Sequence, residues 1–199
     1  AASAAAAGRE RASTGGSRVE FANVSGASVR NAASTGGRVV GKLVSGRRSV
    51  DLEASTSSTV HLADVWTPAL DLEASTSGSI NLDNADVFAL NARASMSSEI
   101  TVGKGSAEQG KANASMSGVI ELNGEFGSVD RKESMSGKVR IKSVVGDAGD
   151  RFVRAARRHY NTDLADDVFA SSIALIIVAS MAPGLQQGMA EALADETFV

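Results

Sequence analysis

The stretch Glu-Ala-Ser-Thr-Ser-Gly-Ser-Ile-Asn-Leu at residues 73–82 decides the fold, because closely similar stretches return along the chain. Two of them are Asn-Ala-Ser-Met-Ser-Gly-Val-Ile-Glu-Leu at 113–122 and Glu-Ser-Met-Ser-Gly-Lys-Val-Arg-Ile at 133–141. The marker serine recurs at spacings of 21, 21, 20, 20, 20 and 19 residues. A near-constant period of this length is typical of a solenoid. The marker serines are Ser13, Ser34, Ser55, Ser75, Ser95, Ser115 and Ser134.

Apolar and polar residues alternate after each marker, as in Ile80-Asn81-Leu82 and Ile100-Thr101-Val102. This period of two predicts strands. A second alternating stretch precedes the next marker, so each repeat offers two short strands joined at a Ser-Thr/Met-Ser-Gly corner. A unit of this size cannot bury its own apolar face, whereas stacked units bury it together and pair their backbones. The sequence therefore predicts an all-β repeat fold, a parallel β-helix of about seven coils of 20 residues.

Stacking also explains why small residues recur beside each marker. We expect an inward alanine ladder at the corner, where a larger side chain would not fit. Its members are Ala12, Ala33, Ala54, Ala74, Ala94 and Ala114. The position after the marker changes from threonine to methionine halfway along the chain. An ice-binding face would need two matched threonine columns in each coil, and the sequence shows only one column. We therefore do not predict ice binding.

The composition excludes several kinds of chemistry. The chain has 199 residues and no cysteine, so thiolate catalysis, disulfides and cysteine-based metal centres are excluded. His61 and His159 are too few for a histidine-dominated metal site. Gly103, Gly105 and Gly110 lack the spacing of a phosphate-binding loop. We therefore predict no cofactor, no metal and no catalytic residues.

Charge is distributed unevenly along the chain. Residues 1–50 carry 8 basic and 2 acidic side chains, whereas residues 51–149 carry 8 and 14. Nucleic-acid binding is not predicted, because the basic segment has only Phe21 as an aromatic platform. The Ala-rich residues 1–9 form a separate N-terminal segment, and residues 1–8 lack the basic and Leu-rich regions of an intact signal peptide.

The pattern changes after residue 146, where we predict a helical segment over 147–199, following the repeats at 10–146. Residues 161–167 hold acidic side chains that suit a helix N-terminus better than a calcium loop. The apolar stretch 168–185 is short for a membrane span. It could instead cap the solenoid or pack between subunits. The candidate capping or assembly residues are Phe152, Tyr160, Phe169, Ile173, Ile176, Ile177 and Leu185.

One segment inside the repeats offers a candidate contact site. Ala-Asp-Val-Trp-Thr-Pro at 63–68 is predicted as a loop that presents Asp64 and Trp66. The alternative is a turn whose tryptophan covers the edge of the solenoid. His61 precedes this segment and alternates outward alone, which favours a solvated side chain over a catalytic base.

The repeated Ala-Ser-(Met/Ser/Thr)-Ser-Gly-x-(Ile/Val)-x-(Leu/Ile) pattern resembles bacterial adhesin-like β-solenoid families, including the head GIN domain group. The resemblance covers residues 10–145 and departs from the family in the Ser-Thr-Gly-Gly of the first two repeats and in the tail. It implies a right-handed β-helix and an extracellular or cell-envelope location. It supplies no catalytic motif.

These observations predict a non-catalytic structural or adhesin-like surface module rather than an enzyme. The opposite charges of the two ends suggest end-to-end self-association into homo-oligomers or filaments. A cell-surface or glycan partner is the other expected interaction. The alternative function is a β-helix that binds or processes polysaccharides, for which Trp66 and Tyr160 would be the aromatic platforms.

Overall fold

A computed structural model describes residues 6–13 and 15–143, and within them the chain forms one parallel sheet of eight strands in sequential order. The predicted helical segment 147–199 lies outside the described residues. The fold is therefore an all-β parallel solenoid over the part that the structure describes. The strands are β1 (Ala6–Ser13), β2 (Arg18–Ala33), β3 (Arg38–Ala54), β4 (Thr59–Ala74), β5 (Ser79–Ala94), β6 (Glu99–Ala114), β7 (Val119–Glu133) and β8 (Lys138–Ser143).

Each strand pairs with the next one in register, so that equivalent residues of successive repeats lie side by side. Val60 pairs with Ile80, Ile80 with Ile100, and Ile100 with Ile120. The strands β2 to β7 make about six turns, and the shorter β1 and β8 flank them. The prediction of a parallel β-helix is confirmed, with about six turns in place of about seven coils. The difference arises because the seven markers stand at corners, and seven corners enclose six complete turns.

The strands run almost all the way round each turn instead of breaking into two. In β4 the inward alternation slips at Ala63-Asp64 and again at Pro68-Ala69, but pairing with β5 continues on both sides of each slip. The prediction of two short strands in each repeat is therefore wrong. Hydrogen bonds to the neighbouring turn do not require a straight strand, so the backbone bends without leaving the ladder.

The Ser-Thr/Met-Ser-Gly segments form the corners, and two successive residues at each corner have a positive φ. In the fourth turn these are Thr76 at 47° and Ser77 at 63°. The Gly78 N–H closes the corner on the Ser75 carbonyl at 2.8 Å, and the Ser77 N–H donates to the Met96 carbonyl of the next turn at 2.9 Å. Non-glycine residues pay a conformational cost in this region. The ladder of bonds between turns offsets it.

Seven inward positions in each turn build the core. In β4 the apolar ones are Val60, Leu62, Val65, Leu70, Leu72 and Ala74, and Thr67 is the seventh. Five of the six predicted alanines, from Ala33 to Ala114, are buried beside the corners as expected. Ala12 is not part of this ladder, because it pairs with Ala32 while Ser13 pairs with Ala33. The first marker is thus one residue out of register with the others.

Side-chain size changes along two neighbouring inward rows. The first row falls in size from Val65 through Ala85 to Gly105, while the second pairs Thr67 with Val87 and, further along, Ala107 with the larger Phe126. A Cβ added at Gly105 would lie 3.3 Å from the Phe126 ring. Phe21 and Gly41 are direct register partners, and the Phe21 ring likewise fills the space beside the glycine. Close packing is thereby kept in a core of changing side chains.

Candidate functional site

The predicted contact loop at 63–68 is part of strand β4, so the loop prediction is wrong. Asp64 is exposed there and accepts a hydrogen bond from Asn84 Nδ2 at 3.0 Å. Trp66 shares a register row with Asp86 and Ser106, and its side chain is fully buried, at 0% exposed. The structure therefore does not bring Asp64 and Trp66 together as an exposed pair.

His61 faces outward, as the alternation predicts, and is partly exposed. Its Nε2 lies 3.7 Å from Asp83 Oδ2. Its register neighbours are Val40 and Asn81, neither of which can exchange a proton with it at neutral pH. The arrangement is that of a surface histidine beside a carboxylate.

Polar side chains on the outer surface bond from one turn to the next at equivalent positions. Asn91 Nδ2 donates to Asp71 Oδ1 at 2.8 Å, as Asn84 does to Asp64. Ser106, whose side chain is fully buried, donates its Oγ hydrogen to Asp86 Oδ1 at 2.8 Å. Each pair is separated by 20 residues. These carboxylates are therefore occupied by neighbouring amides and a hydroxyl.

Two adjacent turns place four carboxylates together on the outer surface. Asp51 pairs in register with Asp71, and Glu53 with Glu73. Arg30 Nη2 donates to Glu53 Oε2 at 2.9 Å. Burial raises the pKa of Asp51 and the nearby Asp71 raises it further, against the opposing effect of Arg30. No group of three or more His, Cys, Asp or Glu side chains is arranged to hold a metal ion within the described residues.

The outer row of the corners changes from polar to apolar along the solenoid. Thr35, Thr56 and Thr76 occupy it first, with φ near +50°. Met96, Met116 and Met135 follow at the same position and are 46%, 45% and 75% exposed. Thr76 Oγ1 lies 3.9 Å from Met96 Sδ, so side chains of neighbouring turns meet along this row.

A charged pair closes the C-terminal end of the described core. Arg131 and Glu133 occupy the register positions of Ala112 and Ala114, which are buried in the preceding turn. Glu133 Oε1 accepts a hydrogen bond from the Val139 N–H at 2.7 Å, and Arg131 Nη1 lies 3.5 Å from the Val139 carbonyl. The two side chains are 55% and 38% exposed. Sequence reasoning missed this pair, although aligning 129–133 with 70–74 puts charges where leucine and alanine stand.

A polar side chain is also enclosed near the other end. Asn31 is fully buried, and neither its amide nitrogen nor its amide oxygen has a hydrogen-bond partner among the described residues. It stands in the row of Leu52 and Leu72, and Arg11 of β1 occupies the preceding position of that row. Both ends of the described core thus carry polar or charged residues at inward register positions.

No family model, curated protein or solved structure matches this chain. Within the described residues, no helix is long and apolar enough to cross a membrane. The stretch 168–185 lies outside them, as do the candidate capping or assembly residues Phe152, Tyr160, Phe169, Ile173, Ile176, Ile177 and Leu185. The fold and the surface rows are therefore the observations on which a function can be based.

Proposed function

We propose that this chain is a non-catalytic structural module, adhesin-like in use, that presents the outer rows of its solenoid to a partner at a cell surface. The observation that carries the proposal is the in-register ladder itself. Backbone pairing runs through strands and corners alike, and side-chain bonds such as Asn91 to Asp71 tie one turn to the next. The result is a rigid surface whose polar groups repeat at the spacing of the turns.

Three carboxylates on the described surface are held by neighbouring side chains, although Asp51 and Asp71 lie side by side in register. Asp64, Asp71 and Asp86 each accept a bond from an adjacent amide or hydroxyl. A polysaccharide-processing enzyme would also need an exposed ring on which a sugar can stack. Trp66 is fully buried and Phe88 nearly so. The polysaccharide-processing alternative therefore draws no support from these residues.

End-to-end association is the second candidate, and one observation favours it. The first half of β2 has no strand beside it on its N-terminal side among the described residues, because β1 pairs only with its second half, from Gly26 to Ala33. An unpaired parallel edge can template a further strand. The Arg131–Glu133 pair acts against this at the other end, since both side chains engage Val139.

Two assays on the full chain test the main proposal. The first measures retention of fluorescently labelled chain on insoluble peptidoglycan, chitin and cellulose, with a globular protein of similar charge as control. The second incubates the chain with soluble polygalacturonate and alginate and follows ultraviolet absorbance and reducing ends. We expect retention on at least one surface and no release of product. Product formation would overturn the proposal, and so would an absence of retention on every surface.

A further inference from the structure

Three methionines stand on consecutive corners of the solenoid and are exposed. Met96, Met116 and Met135 have equivalent positions, because the Ser97 N–H bonds to the Met116 carbonyl and the Ser117 N–H to the Met135 carbonyl, both at 3.0 Å. Neighbouring turns of a parallel ladder are about 4.8 Å apart. The outer two methionines are therefore separated by roughly 10 Å of backbone, with the third between them.

Neither packing nor backbone geometry requires methionine at this row. Threonine occupies it in three earlier turns with nearly the same φ. Relief of strain at a β-branched residue would favour asparagine or glycine, which enter the left-handed region most readily. An exposed thioether also contributes little hydrophobic stabilisation, because much of its surface stays in contact with water. A function of the sulfur atom would explain why methionine recurs at these three positions.

The side chains of this row can converge on one point. Met96 Sδ lies 3.9 Å from Thr76 Oγ1 in the preceding turn, so a side chain of this row spans the distance between turns, and Met96 would turn toward Met116 to bind an ion. Methionine is unbranched and has three rotatable bonds, which lets the outer two side chains lean toward the middle one. The residues beside them at the corner are serines, namely Ser95, Ser97, Ser115, Ser117, Ser134 and Ser136. No side chain of positive charge stands immediately beside a methionine in sequence to repel a cation.

We propose that Met96, Met116 and Met135 form a three-thioether site for a soft monovalent cation, Cu(I) or its analogue Ag(I). Thioethers are soft, uncharged ligands that select Cu(I) over harder ions such as Zn²⁺, Mg²⁺ and Ca²⁺. The backbone ladder is rigid, so the Cα atoms of the three methionines are held in place before any ion binds. It is independent of the surface-module proposal, since either could fail without the other.

Titration of the full chain with Ag(I), and with Cu(I) under ascorbate in competition with a chromogenic chelator, tests this site. We expect one ion per chain and no comparable binding of Zn²⁺. Even changes outside the ligand shell cost about 10–100-fold in metal affinity, so Met116→Thr should weaken Ag(I) binding by at least about tenfold. Replacing all three methionines with threonine should abolish it.

The chain offers its own controls. Threonine is the resident of this row at Thr35, Thr56 and Thr76, so circular dichroism of the threonine variants should match the parent. The two other methionines, Met181 and Met189, are changed to leucine in a matched control that should bind Ag(I) as before. Equal Ag(I) binding by the triple threonine variant overturns the proposal. So does a triple variant that changes only the sedimentation of the protein, because the row would then be a contact surface.

Discussion

Glu133 Oε1 accepts a hydrogen bond from the backbone N–H of Val139 at 2.7 Å, across the corner that joins β7 to β8. The N–H of Lys138 donates to Gly118 of the preceding turn, so the peptide groups of Val139 face the opposite, outer edge of the ladder. Among the described residues, Glu133 thus occupies a position on the edge of β8 that faces away from β7. Glu133 and Arg131 together close this edge at Val139, where they lie against its backbone N–H and carbonyl.

Removing this closure should expose an edge that promotes association. The double variant Arg131→Leu/Glu133→Ala gives β7 the residues that β4 has at Leu72 and Ala74. We expect it to sediment as larger species as protein concentration rises, because an open edge and an apolar end favour pairing. The parent chain should not change over the same range. An unchanged sedimentation coefficient in the variant would show that the pair does not protect this edge.

Asn31→Leu should stabilise the protein. The Asn31 amide is buried without a partner among the described residues, and leucine is the resident of this row in the next two turns. A buried unsatisfied polar group costs about 1–3 kcal/mol, so the free energy of unfolding should rise by an amount in that range. Urea unfolding measures it, with Leu52→Asn as the reciprocal variant that should lose stability. A loss of stability in Asn31→Leu would mean that the amide has a partner.

Phe126→Ala should destabilise the last full turn, by about 3–5 kcal/mol for a buried phenylalanine. The double variant Gly105→Ala/Phe126→Ala should lose less than the sum of the two single losses, because a Cβ added at Gly105 would lie 3.3 Å from the Phe126 ring in the parent and meets no ring in the double variant. A double-mutant cycle by urea unfolding measures the coupling. Additive losses in the double variant would show that the Phe126 ring does not pack against position 105.

Asp51→Asn should stabilise the protein at neutral pH and lose that advantage in acid. Burial and Asp71 raise the pKa of Asp51 above its ordinary value of 3.8, so the folded state holds this proton more tightly than the unfolded state. Its charged form therefore lowers stability above the raised pKa, and the penalty disappears as the pH falls to 3.8 and below. The gap in melting temperature between variant and parent should narrow over that range. A difference in melting temperature that widens on acidification would mean that folding lowers the pKa of Asp51, which would contradict this prediction.

The repeat period and the alternation of residues predict the parallel ladder because both depend on local sequence and on register. Ala33 to Ala114 could be placed inside for the same reason. The burial of Trp66 could not be predicted, since alternation marks it as outward and says nothing of what packs there. The pairing of Ser13 with Ala33 was also missed, because backbone pairing overrides the match of the marker letters.

Within residues 6–143 the turns stack into a parallel solenoid, and Arg131 and Glu133 should keep its last described turn from pairing with another copy of the chain. Negative-stain electron microscopy of the full chain, at low and high salt and over a range of concentrations, tests it most directly. We expect separate particles of one size under every condition. Filaments that grow with concentration would contradict the closed edge and would make end-to-end assembly the function.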